Sequence, residues 1–208
     1  MKVRTKARRE AIVKTAAQLF QEMGYERATM NELAKRVGGS KATLYGYFST
    51  KEELFTAVVR EHATMHLSEA TAELTAELMT DTLAAETLDV QLTRFGERIL
   101  YVLTNDSSAM AIYRMVVAEA GHSDIGSLFY DSGPKENVDK LSELMAAAIA
   151  RQELKPGNPR LRALQFLALL TAEIDDRIFY RHLQPISLER IREIVGDAVS
   201  MFMAGAAA

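Results

Sequence analysis

The 208-residue chain contains no cysteine and only four prolines. Without thiols there is no disulfide framework and no thiolate metal site, and a cytoplasmic location is the expectation. No apolar run approaches the roughly 18 residues that a membrane span needs, so no membrane partner is expected. Arg8, Arg9 and Glu10 precede any apolar stretch, which argues against a secretory leader. Sustained apolar–polar alternation, the mark of a half-buried strand, is missing, and so is any internal repeat. Enzyme signatures are equally sparse: no phosphate-cradling glycine loop, no Ser/His/Asp order, no metal triad. The nearest approach to a metal site is His62 and His66, four residues apart in HATMH. That segment lacks the glutamate of HExxH and has no evident third ligand. An all-helical metal-dependent enzyme using His62, His66 and carboxylates such as Glu69 is the competing function class. No cofactor and no metal are expected.

What is present is ordinary for a soluble globular protein: 48% apolar and 25% charged residues. The length allows one large or two small domains with a real core. The net charge of −3 conceals a division, because residues 1–60 hold 12 Lys and Arg against 6 Asp and Glu. The remainder holds 13 against 22. A basic module on an acidic body suits a protein that docks one end on a polyanion. Lys2, Arg4, Lys6, Arg8 and Arg9 begin that module as a basic arm. Such an arm fits phosphate contacts and fits a frayed, solvated terminus equally well.

The most informative stretch is TMNELAKRVGGSKATLYGYFSTK, residues 29–51. Thr29 and Glu32 have capping-box spacing, and Met30, Leu33, Ala34 and Val37 follow at helical spacing. Gly38 and Gly39 end that helix, since glycine accepts a left-handed backbone at little cost. Ser40 is the next cap candidate, Lys41 to Phe48 gives two more turns, and Thr50 with Glu53 starts a third helix. Two helices joined by a tight glycine turn read as a helix-turn-helix whose second helix reads DNA. On that second helix Leu44 and Phe48 point inward. Ala42, Thr43 and Gly46 point outward, flanked by Tyr45 and Tyr47. Small outward residues permit close approach to a major groove, where hydroxyls reach bases or phosphates. The same spacing also fits a two-turn connector with solvated tyrosines.

The segment ATMNELAKRVGGSKATLYGYFSTKEELF resembles the signature of TetR-type transcriptional regulators, and the resemblance covers residues 8–60 closely. It implies an all-α protein: a three-helix helix-turn-helix head, residues 1–50, and a six-helix ligand-binding and dimerisation body, residues 51–208. It also implies DNA contacts at Thr29, Asn31, Lys41, Ala42, Thr43, Tyr45, Gly46, Tyr47 and Lys51. Thr43 and Tyr45 would face the major groove; Tyr47, Lys51 and the Thr29 region would meet phosphates. Further along, ERILYVLTNDSSAMAIYRMVVAEAGHSDIGSLFYDSGP is similar to the AefR-like branch of that family.

The remaining helices follow from caps and breakers. Ile12, Ala16, Leu19, Phe20 and Met23 mark a first helix ended by Gly24. The helix begun at Thr50 keeps its pattern to about Met79. Further helices are expected over 88–103, 108–120, 123–130 and from Pro134, then from Asn158 to about His182 and from Ser187 to Met203. The final AGAAA is expected to fray. Met65, Phe95, Tyr101, Met110, Tyr113, Met115, Phe129 and Tyr130 lie where relatives enclose a small-molecule effector. Periodicity alone does not separate such a pocket from plain core. Leu164, Leu167 and Leu170 in the penultimate helix carry apolar surface, as do Ile191, Ile194, Val195, Ala198 and Phe202 in the last. That surface is either internal core or a partner's seat, and the resemblance implies a four-helix dimer interface. The expected function is a homodimeric repressor that binds palindromic double-stranded operator DNA and is released by a small apolar effector. A regulator of the same fold acting as an activator is the alternative within the family.

Overall fold

The computed structural model describes residues 5–61, 87–180 and 182–208. Among them ten α-helices run in order: α1 (Lys6–Met23), α2 (Met30–Val37), α3 (Lys41–Tyr47), α4 (Lys51–Val59), α5 (Leu88–Asn105), α6 (Ser107–Glu119), α7 (Ile125–Asp131), α8 (Pro134–Ala150), α9 (Pro159–Thr171) and α10 (Leu188–Ala206). A 3-10 helix, Asp175–Phe179, lies between the last two. The described residues hold no strand, only an isolated antiparallel bridge between Leu154 and Ala207. No described helix is long and apolar enough to cross a membrane.

The chain divides into two compact units. In the first, residues 5–61 pack with 108–133. Helix α1 buries Ile12, Val13, Ala16, Leu19 and Phe20. Its last turn meets α4 through three rings: Phe20 lies 5.8 Å from Phe55 and 5.6 Å from Tyr25, and Tyr25 lies 5.1 Å from Phe55. Tilted and edge-on rings at such separations add attraction beyond the area they bury. Phe55 is fully buried, a contribution of about 1.5–3 kcal/mol from apolar burial. Ile112, Met115 and Val116 of α6 and Ile125 of α7 join the same core.

Gly24 ends α1 at φ +79°, ψ 161°, a region that is essentially reserved for glycine. The Glu119 carboxylate from α6 sits over it, so a Cβ there would lie 2.4 Å from Glu119 Oε1. The same carboxylate accepts the Glu26 amide at 3.0 Å. The loop from α1 to α2 is thus tied to a residue 93 positions away.

The second unit joins residues 87–107 to those beyond 133. Phe166 of α9 stands between Phe95 of α5, at 6.4 Å, and Phe202 of α10, at 5.4 Å. Gly96 lets α5 come close, since a Cβ on it would meet Val195 Cγ1 at 2.9 Å and Leu170 Cδ1 at 3.0 Å. Asn158 and Ser187 cap α9 and α10 as their side-chain chemistry predicts, and Pro159 occupies the first turn of α9.

Two expectations change, and a third runs beyond the described residues. The penultimate helix stops at Thr171 instead of His182, and Ile174 turns back with its amide on Thr171 O at 2.8 Å. Glu173, Asp175 and Asp176 crowd acidic charge where a helix C-terminus already carries partial negative charge. The terminal alanines do not fray: Ala206 is helical and buried, Lys155 N donates to Ala206 O at 2.9 Å, and Ala208 N donates to Glu153 O at 3.1 Å. The long pattern begun at Thr50 is described only as far as Glu61. Met65, His62, His66 and Glu69 lie outside the described residues.

Candidate nucleic-acid interface

Helices α2 and α3 are built by local chemistry. Thr29 Oγ1 accepts the Glu32 amide at 3.2 Å, which fixes the start of α2. The Glu32 carboxylate faces Arg36 Nε at 3.6 Å and Lys35 at 4.0 Å. At the other end Gly38 adopts φ +68°, ψ 47°, donating to Lys35 O at 3.1 Å, while Gly39 donates to Ala34 O at 3.2 Å. These paired bonds satisfy carbonyls that α2 would otherwise leave bare and turn the chain at once. Ser40 then caps α3, accepting the Thr43 amide at 3.1 Å and sharing a 2.8 Å hydroxyl contact with Thr43 Oγ1. Thr50 accepts the Glu53 amide at 3.0 Å to start α4, and Glu53 returns to the Ser49 amide at 2.7 Å.

The faces of α3 are sharply divided. Leu44 and Phe48 are buried in the first unit, whereas Lys41, Ala42 and Tyr45 are exposed, Tyr45 at 42%. Thr43, Gly46 and Tyr47 are half-buried at the margins. Lys41 Nζ stands 5.8 Å from the centre of the Tyr45 ring, within reach of a cation–π attraction. Thr29 and Asn31 are exposed on the first turn of α2. A narrow outward face of one cation, one methyl, one hydroxyl and one phenol offers the groups that read base edges and phosphates.

Two of the expected contact residues hold other partners. Lys51 donates to Tyr25 O at 3.1 Å and Glu26 O at 3.5 Å, and its ammonium lies 4.1 Å above the Tyr25 ring. It therefore holds the α1–α2 loop, whose carbonyls take two of the three protons of the ammonium. Tyr25 OH donates to Glu52 Oε1 at 3.3 Å. Burial, then the Glu52 charge, pushes that phenol well above its ordinary range. Glu52 itself is lowered, first by a backbone hydrogen bond, against the opposing effect of its burial. Tyr47 OH accepts the Thr5 amide at 3.1 Å.

Residues that sequence reasoning did not single out for α3 come from the start of α1. Arg8 Nη2 donates to Val37 O at 3.1 Å and to Gly38 O at 3.5 Å. The Arg9 guanidinium lies 5.0 Å from the centre of the Phe48 ring. The signal was available: Arg8 lies one turn before Ile12 and Arg9 one turn before Val13, on the side of α1 that carries its buried residues, with Arg8 half-buried and Arg9 exposed.

The expected effector residues fall in different places. Phe95 is core of the second unit and Met115 core of the first, each filled by neighbouring side chains. Tyr101 is exposed on α5. On the first unit Tyr113 is exposed and 5.9 Å from the half-buried Phe129, with Met110 and Tyr130 partly open. Of the expected dimer residues, Leu170, Ile191, Ile194, Val195, Ala198 and Phe202 are already buried within the single chain. Val195, at 0% exposure, has no surface left to lose, because α5 carries Gly96 beneath it. Leu164 is 44% exposed and Leu167 half-buried.

A capped two-helix reader with one small, polar outward face defines a helix-turn-helix DNA-binding protein. Residues 12–58 match the model described as bacterial regulatory proteins, tetR family. Residues 90–205 match that of the AefR-like transcriptional repressor C-terminal domain. The chain belongs to the TetR family of transcriptional regulators, which are not enzymes and which bind DNA. The HTH-type transcriptional repressor AcnR of Corynebacterium diphtheriae is 42% identical over 78 residues, 37% of this chain and 40% of that protein. The HTH-type transcriptional activator FasR of Mycolicibacterium smegmatis is 44% identical over 55 residues, 26% of this chain and 25% of that one. The chain therefore matches less than half the length of either relative. Among solved structures, a TetR-family regulator from Mesorhizobium loti shares the fold over 100% of both chains, with TM-score 0.76 and 22% identity. The flavonoid-responsive regulator FrrA matches 98% of both chains, with TM-score 0.72 and 27% identity.

Proposed function

We propose that this regulator is a homodimeric repressor that binds a palindromic operator through α3 and leaves it when a largely apolar small molecule binds. The observation that carries the reading is the outward face of α3, where Lys41, Ala42 and Tyr45 are exposed above a firmly capped turn. Thr43 and Tyr45 read bases, Thr29 and Asn31 add contacts at the edge of the groove, and residues before 51 form the reading head. Two copies present their α3 helices about one DNA turn apart, roughly 34–36 Å, or at a wider spacing set by the operator. Repression is favoured by the AefR-like repressor match and by AcnR. FasR, an activator, supports the same fold acting with the opposite sign.

Dimerisation is supported by what α9 and α10 leave uncovered. Leu161, Leu164 and Ala168 on α9, and Gly196, Ser200, Met201 and Ala204 on α10, are exposed. A Cβ at Gly196 would meet nothing, so another helix has room to approach. For the effector, the aromatic pair Tyr113 and Phe129 beside exposed Val117 favours an apolar, ring-bearing molecule. The likeness to a flavonoid-responsive regulator makes flavonoids the first compounds to try. Any such effector acts only by binding the non-reading state more tightly than the reading one.

The test is selection of bound fragments from genomic DNA, followed by titration of wild type, Thr43→Ala and Tyr45→Ala on the recovered sequence. Loss of a base contact is expected to weaken operator binding by about 1–3 kcal/mol while leaving random DNA little changed. A wild-type protein that binds operator and random DNA alike overturns the reading.

A further inference from the structure

Near the start of α1, Arg8 reaches the turn that precedes the reading helix, and Arg9 reaches the residue that caps its far end. At the entry to α3, Arg8 spans the turn, donating to Val37 O at 3.1 Å and Gly38 O at 3.5 Å. At the exit, Arg9 covers the Phe48 ring at 5.0 Å, and the Thr5 amide holds Tyr47 OH at 3.1 Å. Gly39 leaves room for the first of these grips, since a Cβ there would meet Arg8 Nη2 at 2.9 Å. Thr5 itself is fixed as the cap of α1, accepting the Arg8 amide at 3.3 Å. Two side chains and one backbone amide, within five residues, thus bracket a helix of only two turns.

We infer that Thr5, Arg8 and Arg9 form a clamp that sets the angle of α3, and that Arg8 and Arg9 govern operator discrimination as positioning residues and not as phosphate contacts. The inference rests on α3 being the DNA reader. Its physical basis is that a two-turn helix has only Leu44 and Phe48 to anchor its buried face, so small tilts of it are opposed chiefly by what holds its ends. Base readout depends on hydrogen bonds that weaken steeply with angle, whereas attraction to phosphates depends on charge and falls off gently. Loosening the clamp therefore removes discrimination and leaves the electrostatic part of binding in place.

Charge and position are separated by three variants. Arg8→Lys keeps the charge, but a tetrahedral ammonium on a shorter stem does not reproduce the planar Nη2 group that donates to both carbonyls. Gly39→Ala leaves every charge alone and pushes a methyl against the Arg8 guanidinium. Arg8→Ala removes both functions. Each is titrated on the fragment recovered by genomic selection and on a scrambled fragment of equal length, across a series of salt concentrations. The expected result is a loss of operator-over-scrambled preference on the order of tenfold in Arg8→Lys and Gly39→Ala, with scrambled-DNA affinity and the salt slope unchanged. Adding Gly39→Ala to Arg8→Ala is expected to do nothing further, because the contact is already gone. If instead Arg8→Lys matches wild type while Arg8→Ala weakens both DNAs and lowers the salt slope by about one, Arg8 is a phosphate contact and the inference is wrong. Wild-type behaviour of Arg8→Lys and Gly39→Ala on both fragments overturns it as well. Should Arg8→Lys lose its helical circular dichroism, Gly39→Ala alone decides by the same criteria. A wild-type protein without preference sinks the reading of α3 itself, and the clamp with it.

Discussion

Replacing Gly24 by alanine probes how the head is tied to α6. The residue sits at φ +79°, ψ 161°, where a side chain is strained by about 1–3 kcal/mol. The added Cβ would also lie 2.4 Å from Glu119 Oε1, so the carboxylate must leave. Its departure breaks the 3.0 Å bond from the Glu26 amide. A bond to a charged acceptor contributes roughly 1.5–3 kcal/mol when buried, and about 1 kcal/mol here because the pair is open to solvent. Gly24→Ala should therefore destabilise by about 2–4 kcal/mol, and Glu119→Ala by about 1 kcal/mol. In the double variant the methyl has space and the bond is already lost, so the effects should fall short of additivity by about 1 kcal/mol. Urea unfolding followed by circular dichroism at one fixed protein concentration measures all four proteins, since the stability of the proposed dimer would depend on concentration. Strict additivity would mean that Glu119 does not hold the loop. A neutral Gly24→Ala would mean that the backbone is not in the strained region at all.

Other outcomes follow from the same contacts. Leu164→Glu should yield folded monomer in analytical ultracentrifugation, whereas Val195→Glu should unfold the second unit, because that side chain is enclosed within one chain; a folded Val195→Glu monomer would refute the assignment. Phe55→Ala should cost about 3–5 kcal/mol in urea unfolding, since it empties the junction of three rings; a loss below 1 kcal/mol would place the core elsewhere. The phenol of Tyr25, raised by burial and by Glu52, should ionise later than exposed tyrosines when absorbance is followed at alkaline pH. The unfolded chain gives up that proton near its ordinary value of about 10, so the stability it lends is complete below that pH and is lost as pH rises further. Tyr25→Phe should remove both the late titration step and that part of the alkaline loss.

Caps were legible in the sequence because they are local. Thr29, Ser40, Thr50, Asn158 and Ser187 all accept the amide three residues on, as their side chains and spacing dictate. The outward face of α3 was legible for the same reason, being a matter of 100° per residue. Long-range partners were not. Lys51 looks like any exposed cation until the Tyr25 and Glu26 carbonyls are seen beneath it. The stripe on α10 announces burial but not the burying surface, and only Gly96, 99 residues before Val195, reveals that α5 fills it. The end of α9 was misjudged because apolar composition continues past the point where Glu173, Asp175 and Asp176 make a helix terminus unfavourable.

The backbone pairing at the carboxyl end makes that end a natural clock. Exopeptidases pull residues from a free, extended strand, yet Ala208 N is bonded to Glu153 O and Ala206 O receives Lys155 N. Digestion must wait for those bonds to open, and then for the last turn of α10, whose Ala206 is buried. Trimming of the 208-residue chain by a carboxypeptidase in excess, where cleavage outpaces reclosing, should thus proceed at the rate of local opening. Mass spectrometry of the shortening chain would time that opening in native protein, with no label attached. For the same reason a tag fused after Ala208 would tug on Leu154 and the α8–α9 loop, whereas a tag before Thr5 would tug on the clamp.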